Sequence, residues 1–438
     1  MATSTYDPLS SGADQDSAKQ NKNKTKESTS AKNSAWVKNK RYWYWLSCAI
    51  PLIPLAFAYL AVTTQQGAWL WFTVVLLYVL LPLSDHLFGI DKANPDETLV
   101  DQIKNERYYV YIMYFTTAAH WLAFVTMAYV VSQYEWSWFS ILGGALSTGI
   151  LNGVGMNAGH EMGHKVRDRK QVGCAKLALA CCGYGHFFIE HNKGHHKDVA
   201  TPEDPASSRM GESIYKFVKR EIPGAFRRAW SLEANRLHRQ GKSEWSFENE
   251  ILQPAVVTIS AYILMLAFFG PIMIPFLFIA AAYGWWQLTC ANYVEHYGLL
   301  RLKNENGRYE RCQPHHSWNS NYKASNLILL HLQRHSDHHA HPTRPYQVLR
   351  DYEDVPTLPS GYPLMFVLAM IPPAWFAVMD PKVVDWAAGD LDKVNIDPQM
   401  KETLFIRHHR APVVEQSKAE QDASEGSGTP NIHTEQPA

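Results

Sequence analysis

The sequence predicts an all-α integral membrane protein, with six transmembrane helices and a cytoplasmic, histidine-rich cap that holds a dinuclear metal site. Three observations carry this expectation. Several apolar runs are long enough to cross a bilayer, for which roughly 20 residues suffice. Lysine and arginine gather in alternate loops, as the positive-inside bias requires. Nine histidines stand in three clusters plus one, all at the ends of apolar runs or in loops on one expected side. The 438 residues are 46% hydrophobic with zero formal net charge, and no basic stripe with interleaved aromatics points to nucleic acid.

Residues 1–40 begin as a run of Ser, Lys, Asn, Thr and Asp that cannot bury enough apolar surface to offset ordering entropy, so they read as a disordered cytoplasmic tail. No signal peptide is expected, because an apolar core begins only near residue 42. Lys38, Lys40 and Arg41 hold this end in the cytoplasm. The first span, about 42–63, opens with an interfacial aromatic belt and contains Pro51 and Pro54, which membrane helices tolerate. A turn without basic residues leads to the second span, about 68–90. Lys92, Lys104 and Arg107 mark the next loop as inside. The third span is about 108–131, and the fourth, about 136–159, is rich in glycine, which lets helices approach closely. It runs into His160 and then Lys165, Arg167, Arg169 and Lys170.

Residues 171–189 are apolar but short. A full span there would put His191 on the opposite side from His160, so they read as a helix buried against the bundle or lying at the interface. The fifth and sixth spans are about 253–270 and 272–294, and the sixth delivers His296 to the inside. Residues 362–379 are broken by Pro372-Pro373 and read as an interfacial or buried hairpin. The membrane domain thus covers 41–410, and residues 411–438 read as a second disordered tail. The six cysteines include no C-x-x-C pair, which argues against a disulfide framework or a cysteine metal site.

The chemistry lies in the histidines. His160 and His164 stand at i and i+4, on one face of a helix, where two imidazoles can grip one ion. His191, His195 and His196 form a second cluster, and His335, His338 and His339 a third. His296 stands alone near the end of the sixth span. One metal cannot use nine ligands, so two metals are expected. A single histidine such as His86 or His408 reads as incidental, whereas ionisable residues clustered at span ends are costly and functional. His186, His315, His316, His331 and His341 lie near the clusters and are candidates to orient ligands or bind substrate. His160-Glu161-Met162-Gly163-His164 also satisfies H-E-x-x-H, the zinc-protease motif in which the glutamate is the general base. That reading, an intramembrane zinc metalloprotease, leaves the other clusters without a use. A metal transporter is the non-enzymatic alternative, and no span carries the mid-membrane Asp/His pair it would need.

Imidazole alone does not choose among Zn, Cu, Fe and Ni. Glu161, Glu190, Asp198, Glu295 and Asp337 are candidates to neutralise the metals by accepting the other ring N–H of a ligand, or are ordinary surface carboxylates. A redox metal beside a pocket fed from lipid points to dioxygen chemistry on an apolar molecule.

At these residues the chain resembles the bacterial membrane-bound alkane 1-monooxygenases, a histidine-box, non-haem di-iron family related to the fatty-acid desaturases. The boxes are His160-x3-His164, His191-x3-His195-His196 and His335-x2-His338-His339, with His296 in the stretch Asn292 to Leu299. Gly183 to Pro205, Ser208 to Phe217 and Leu332 to Pro345 extend the likeness, which covers roughly residues 40–400. The resemblance implies two irons held by His160, His164, His191, His195, His196, His296, His335, His338 and His339, with dioxygen as co-substrate. It implies terminal hydroxylation of medium-chain n-alkanes to primary alcohols in the bacterial inner membrane, with the active site and both termini cytoplasmic. Electrons would come from a separate rubredoxin, reduced by an NADH-dependent rubredoxin reductase. A fatty-acyl desaturase or xylene-type hydroxylase is the near alternative. An alkane has no polar handle, so binding must come from burial, roughly 0.8 kcal/mol per CH₂. Trp69, Leu77, Leu80 and Trp121 are candidates to line its pocket.

Overall fold

The computed structural model describes residues 35–408. Residues 1–34 and the C-terminal stretch 411–438, both read as tail, lie outside the described residues. Among the described residues the fold is all helical, with isolated β-bridges and no strand, and six helices are long and apolar enough to cross a membrane.

The first, α1 (Ala35–Thr64), starts within the stretch assigned to the tail. The reason is local burial. Val37, Lys40 and Tyr44 are covered, and Lys40 Nζ lies 2.6 Å from Asp91 Oδ2. α2 (Gly67–Phe88) contains a π-helical turn, Leu76–Leu80, which disturbs the regular register in mid-span. α3 (Arg107–Gln133) and α4 (Trp138–Gly163) form an antiparallel pair, and the Ser137 side chain caps α4 by accepting from Ser140 N.

α5 (Arg169–Ala180) is capped by Asp168, whose side chain accepts from the backbone of Lys170 and Gln171. Its 12 residues span about 18 Å, too short for a hydrocarbon core of about 30 Å. It lies against α4, and Trp121 Nε1 of α3 donates to Leu177 O at 3.1 Å. After a turn the chain continues as α6, built from Phe187–Ile189, a π-helical stretch Glu190–His195, and His196–Asp198. Residues 171–189 are therefore packed against the bundle, and His191 returns to the side of His160.

The amphipathic α7 (Ile214–His238) is capped by Ser213 and buries Phe217, Glu221 and Ala225. α8 (Leu252–Phe269) and α9 (Met273–His296) are the fifth and sixth long apolar helices. α4 and α9 come close because glycines face the partner. A Cβ on Gly149 would stand 2.7 Å from Tyr283 Cβ, and one on Gly153 would stand 2.9 Å from Gln287 Cβ. Side chains that point away from the bundle are apolar and bare, among them Leu87, Phe268 and Phe278, each more than 70% exposed. On a membrane helix this is the lipid face.

Over the ends of α4 and α9 the remaining chain forms a cap. It includes α10 (His335–Ala340), fastened by the buried Arg334, which donates to Leu349 O at 2.7 Å and Asp91 O at 2.8 Å. α11 (Tyr362–Ala369) and α12 (Pro372–Trp386) meet at 118°, the hairpin expected from Pro372-Pro373.

Candidate metal centre

Two long helices end at the same place. His160 lies in the last turn of α4 and His164 at its C-cap, with their Nε2 atoms 3.2 Å apart, and His296 is the last residue of α9. Helix C-termini carry partial negative charge, which favours cations there. α6 adds His191, His195 and His196, and α10 adds His335, His338 and His339.

These nine side chains sort into two groups, in each of which one ligand atom per residue lies within 4.8 Å of all the others. His160, His164, His191, His196 and His338 make one, and His195, His296, His335 and His339 the other. In the first, His160 Nε2 is 3.0 Å from His338 Nε2 as well as near His164, and His191 Nε2 is 3.0 Å from His196 Nε2. His160 Nε2 thus meets two other ring nitrogens at once, a convergence that a cation shared by their lone pairs satisfies. In the second group, His195 Nε2 and both ring nitrogens of His296, His335 and His339 find no hydrogen-bond partner. Buried polar atoms are seldom left so. The donor set fits metal at both groups.

Electrostatics agree. Burial first, then mutual repulsion, pushes His164, His191, His196, His335, His338 and His339 well below the usual imidazole range, so they are neutral and able to donate lone pairs. His195 differs. Burial pushes its ring down, but the charge and hydrogen bond of Asp204 outweigh burial and raise it. Asp204 Oδ2 stands 2.9 Å from His195 Nδ1, and Asp204 itself is fully buried.

The carboxylates expected around the metals are placed differently from the sequence reading. Glu295 alone of the five approaches a ligand candidate, with Oε2 3.2 Å from His335 Nε2 but without hydrogen-bond alignment. Glu190 and Asp198 are both engaged by Arg228, which also holds Asp204 Oδ1 at 2.7 Å. Asp337 accepts from His341, Arg344, Tyr352 and the Arg350 backbone. Glu161 accepts from Tyr346 N at 3.3 Å and lies 3.8 Å from Lys165, so it is not poised as the base of an H-E-x-x-H protease. Asp204 was missed because nothing in its loop sequence distinguishes it from Asp198, six residues earlier. Only the Arg228 clamp and the fold of residues 199–207 bring it to His195.

Of the other nearby histidines, His331 packs on Tyr44 and His341 on Asp337, away from both groups. His315 and His316 gather with Glu310 in a third cluster. There His316 Nδ1 accepts from Gln313 N at 2.9 Å, which leaves the proton of the neutral ring on Nε2, facing Glu310 rather than a metal.

Beneath the two groups lies an apolar cavity of about 740 Å³. Leu77, Ile150, Val154, Leu288 and Phe366 line its length, and His160, His191 and His335 reach its wall, so both groups border it. Leu77 comes from the π-helical turn of α2, in keeping with the habit of such turns to fall at functional sites. The other three residues expected at the pocket are elsewhere. Trp69 packs on Phe57, Trp121 is tied to α5, and Leu80 points outward at 37% exposure. Membership of a span does not say which face of the helix meets the cavity.

With this geometry in place, the chain can be set beside known proteins. The fatty acid desaturase family model matches residues 136–369. An alkane 1-monooxygenase of Pseudomonas putida is 56% identical over 366 residues, covering 84% of this chain and 91% of the relative. The alkane 1-monooxygenase 1 of Alcanivorax borkumensis is 55% identical over 373 residues, 85% of this chain and 92% of that one. This chain belongs to the alkane 1-monooxygenase family. The xylene/toluene monooxygenase hydroxylase component of Pseudomonas putida is more distant, 29% identical over 255 residues and 56% of this chain. As a member of the alkane 1-monooxygenase family the chain is an oxidoreductase and a multi-pass membrane protein. Its histidine groups fit the metal site that such an enzyme requires.

Proposed function

We propose that this protein hydroxylates the terminal methyl of medium-chain n-alkanes to primary alcohols, using dioxygen and electrons from a separate rubredoxin. The observation that carries this reading is the apolar cavity whose wall includes His160, His191 and His335. A substrate without polar groups gains affinity only by burial, about 0.8 kcal/mol per CH₂, and the side chains of Leu77, Ile150, Val154, Leu288 and Phe366 provide it. Among the polar residues in the lining, Asn157, Gln287 and Asn292 are hydrogen-bonded, to Leu329, Tyr78 and Glu221 respectively, while Glu295 and Tyr362 stand beside the histidines.

All nine histidines are proposed as ligands of two irons, which when bound supply the reductive activation of dioxygen that breaking a methyl C–H bond needs. Asp204 holds His195 in one tautomer and raises its basicity. Lys165, Arg167, Arg169 and Lys170 directly follow His164, which supports a metal site facing the cytoplasm of the inner membrane, where a soluble donor reaches it. Residues 41–410 are proposed as the hydroxylase domain.

The test is metal analysis and turnover on one purified sample, supplied with rubredoxin, its reductase, NADH and octane. Iron at two per chain, with 1-octanol formed only under dioxygen, is the expected result. Zinc in its place with no alcohol, or an alkene product from a fatty-acyl substrate, would overturn the reading.

A further inference from the structure

A second, smaller cavity, whose wall is drawn mostly from polar residues, adjoins the apolar one. It measures about 260 Å³, with room for roughly one water molecule, and lies between α6, α7 and α9. Phe187, His191 and Asn292 line both cavities, so one layer of side chains parts them. Tyr184, His186, Glu190 and Glu221 make up much of its remaining wall. Tyr184 Oη, His186 Nε2 and Glu190 Oε2 are buried without a partner in the protein. Leaving such groups dry costs about 1–3 kcal/mol each, which a water held in the chamber would offset.

Glu221, 1% exposed, reaches this chamber from α7. One carboxyl oxygen accepts from Thr289 Oγ1 at 2.8 Å and the other from Asn292 Nδ2 at 3.2 Å, both on α9. No basic side chain neutralises it, since Arg228 on its own helix is taken by Glu190, Asp198 and Asp204. The titratable groups that face it are Tyr184, His186, Glu190, His191 and His195 around the chamber, and Asp204 beyond. Burial first, then the charges of Glu190 and Asp204, pushes its carboxyl up to about 7.

The proposed reaction needs protons at a buried place. One O–O bond breaks, the methyl C–H becomes C–O–H, and the second oxygen leaves as water, which takes up two electrons from the donor protein and two protons from solvent. In the wall of the apolar cavity Glu295 and Tyr362 could receive protons beside His335, but both are buried and neither borders the second chamber, so another group must bring protons to them. We propose that Glu221 and the polar chamber are the proton inlet, with Glu221 holding a proton, releasing it through chamber water across the Phe187–Asn292 layer, and being reloaded past His186. This rests on the hydroxylase reading above.

Two measurements on the full-length protein test it. Infrared difference spectra of wild type against Glu221→Gln are expected to show a protonated-carboxyl band that titrates near pH 7, in metal-free protein as in loaded protein. In the reconstituted enzyme, Glu221→Gln is expected to keep its metal yet lower alcohol formed per NADH by about tenfold, with hydrogen peroxide rising in its place. Glu221→Asp should restore part of the coupling. A missing band overturns the proposal, as does a band accompanied by wild-type coupling in Glu221→Gln, which would make Glu221 a structural acid. If the wild type itself makes no alcohol from alkane, the hydroxylase reading fails and the inlet falls with it, a result distinct from an active and fully coupled Glu221→Gln.

Discussion

His191 Nε2 lies 3.0 Å from His196 Nε2, five residues along the chain, while the His195 ring lies nearest His339 and His296, with centroids 4.8 and 4.9 Å apart. In an ordinary α-helix His191 and His195 would share a face. The π-helical stretch Glu190–His195 widens the turn, so the near neighbour becomes the fifth residue rather than the fourth. Adjacent histidines thereby serve different groups. His195→Ala and His196→Ala should each weaken metal binding at a different position. Metal analysis with Mössbauer spectra of the two variants checks this, since loss of the same iron signal from both would contradict the division.

Asp204 fixes the orientation of His195 through Nδ1. Asp204→Asn keeps the shape but loses the charge, and should lower metal affinity about 10–100-fold. Asp198→Asn, at a residue that touches Arg228 and no ligand candidate, should change it little. Competition with a chelator of known affinity separates the two.

The π-helical turn of α2 places Leu77 against the cavity. Leu77→Trp should shorten the longest alkane accepted, and Leu77→Ala should lengthen it. Each CH₂ excluded or admitted is worth about 0.8 kcal/mol, or about fourfold in KM. Product profiles over an alkane series measure the shift. Trp121→Leu, at a residue bonded to α5, should leave the profile unchanged.

Glu221 carries a pH dependence that needs no turnover to observe. Its carboxyl is raised, chiefly by burial, from an ordinary 4.5 to about 7. The folded protein therefore keeps a proton that the unfolded chain has released. Its contribution to stability is complete below about 4.5 and is lost as pH rises toward about 7, at up to about 1.4 kcal/mol per pH unit. Thermal unfolding in detergent across that window should show wild-type Tm falling more steeply with pH than that of Glu221→Gln. Equal slopes would contradict the assignment.

Much of the architecture was legible in the residues. Six long apolar runs, basic residues in alternate loops and histidines at span ends are local properties, and they were enough to predict six membrane helices and a metal-bearing cap. The place of residues 171–189 was equally readable, because a full span there would have put His191 on the opposite side of the membrane from His160, and the helix there is too short to cross. Of the four pocket candidates, Leu77 lines the cavity, while Trp69 packs on Phe57, Trp121 bonds to α5 and Leu80 points outward.

What the chain alone determined is which chemistry is present: nine imidazoles, apolar helices to carry them, and too little else at those positions to do another job. What only the tertiary structure decided is how those imidazoles are divided and served. The split of His195 from His196 depends on a π-helical stretch whose spacing is set by packing of α6 on α7, through Arg228 with Glu190 and Asp204. The partners of His195 and Glu221 come from segments nine and about seventy residues away. Spacing along one helix constrains only what that helix can align. Contacts between distant segments are set by packing, and the charge balance of this site is made of such contacts.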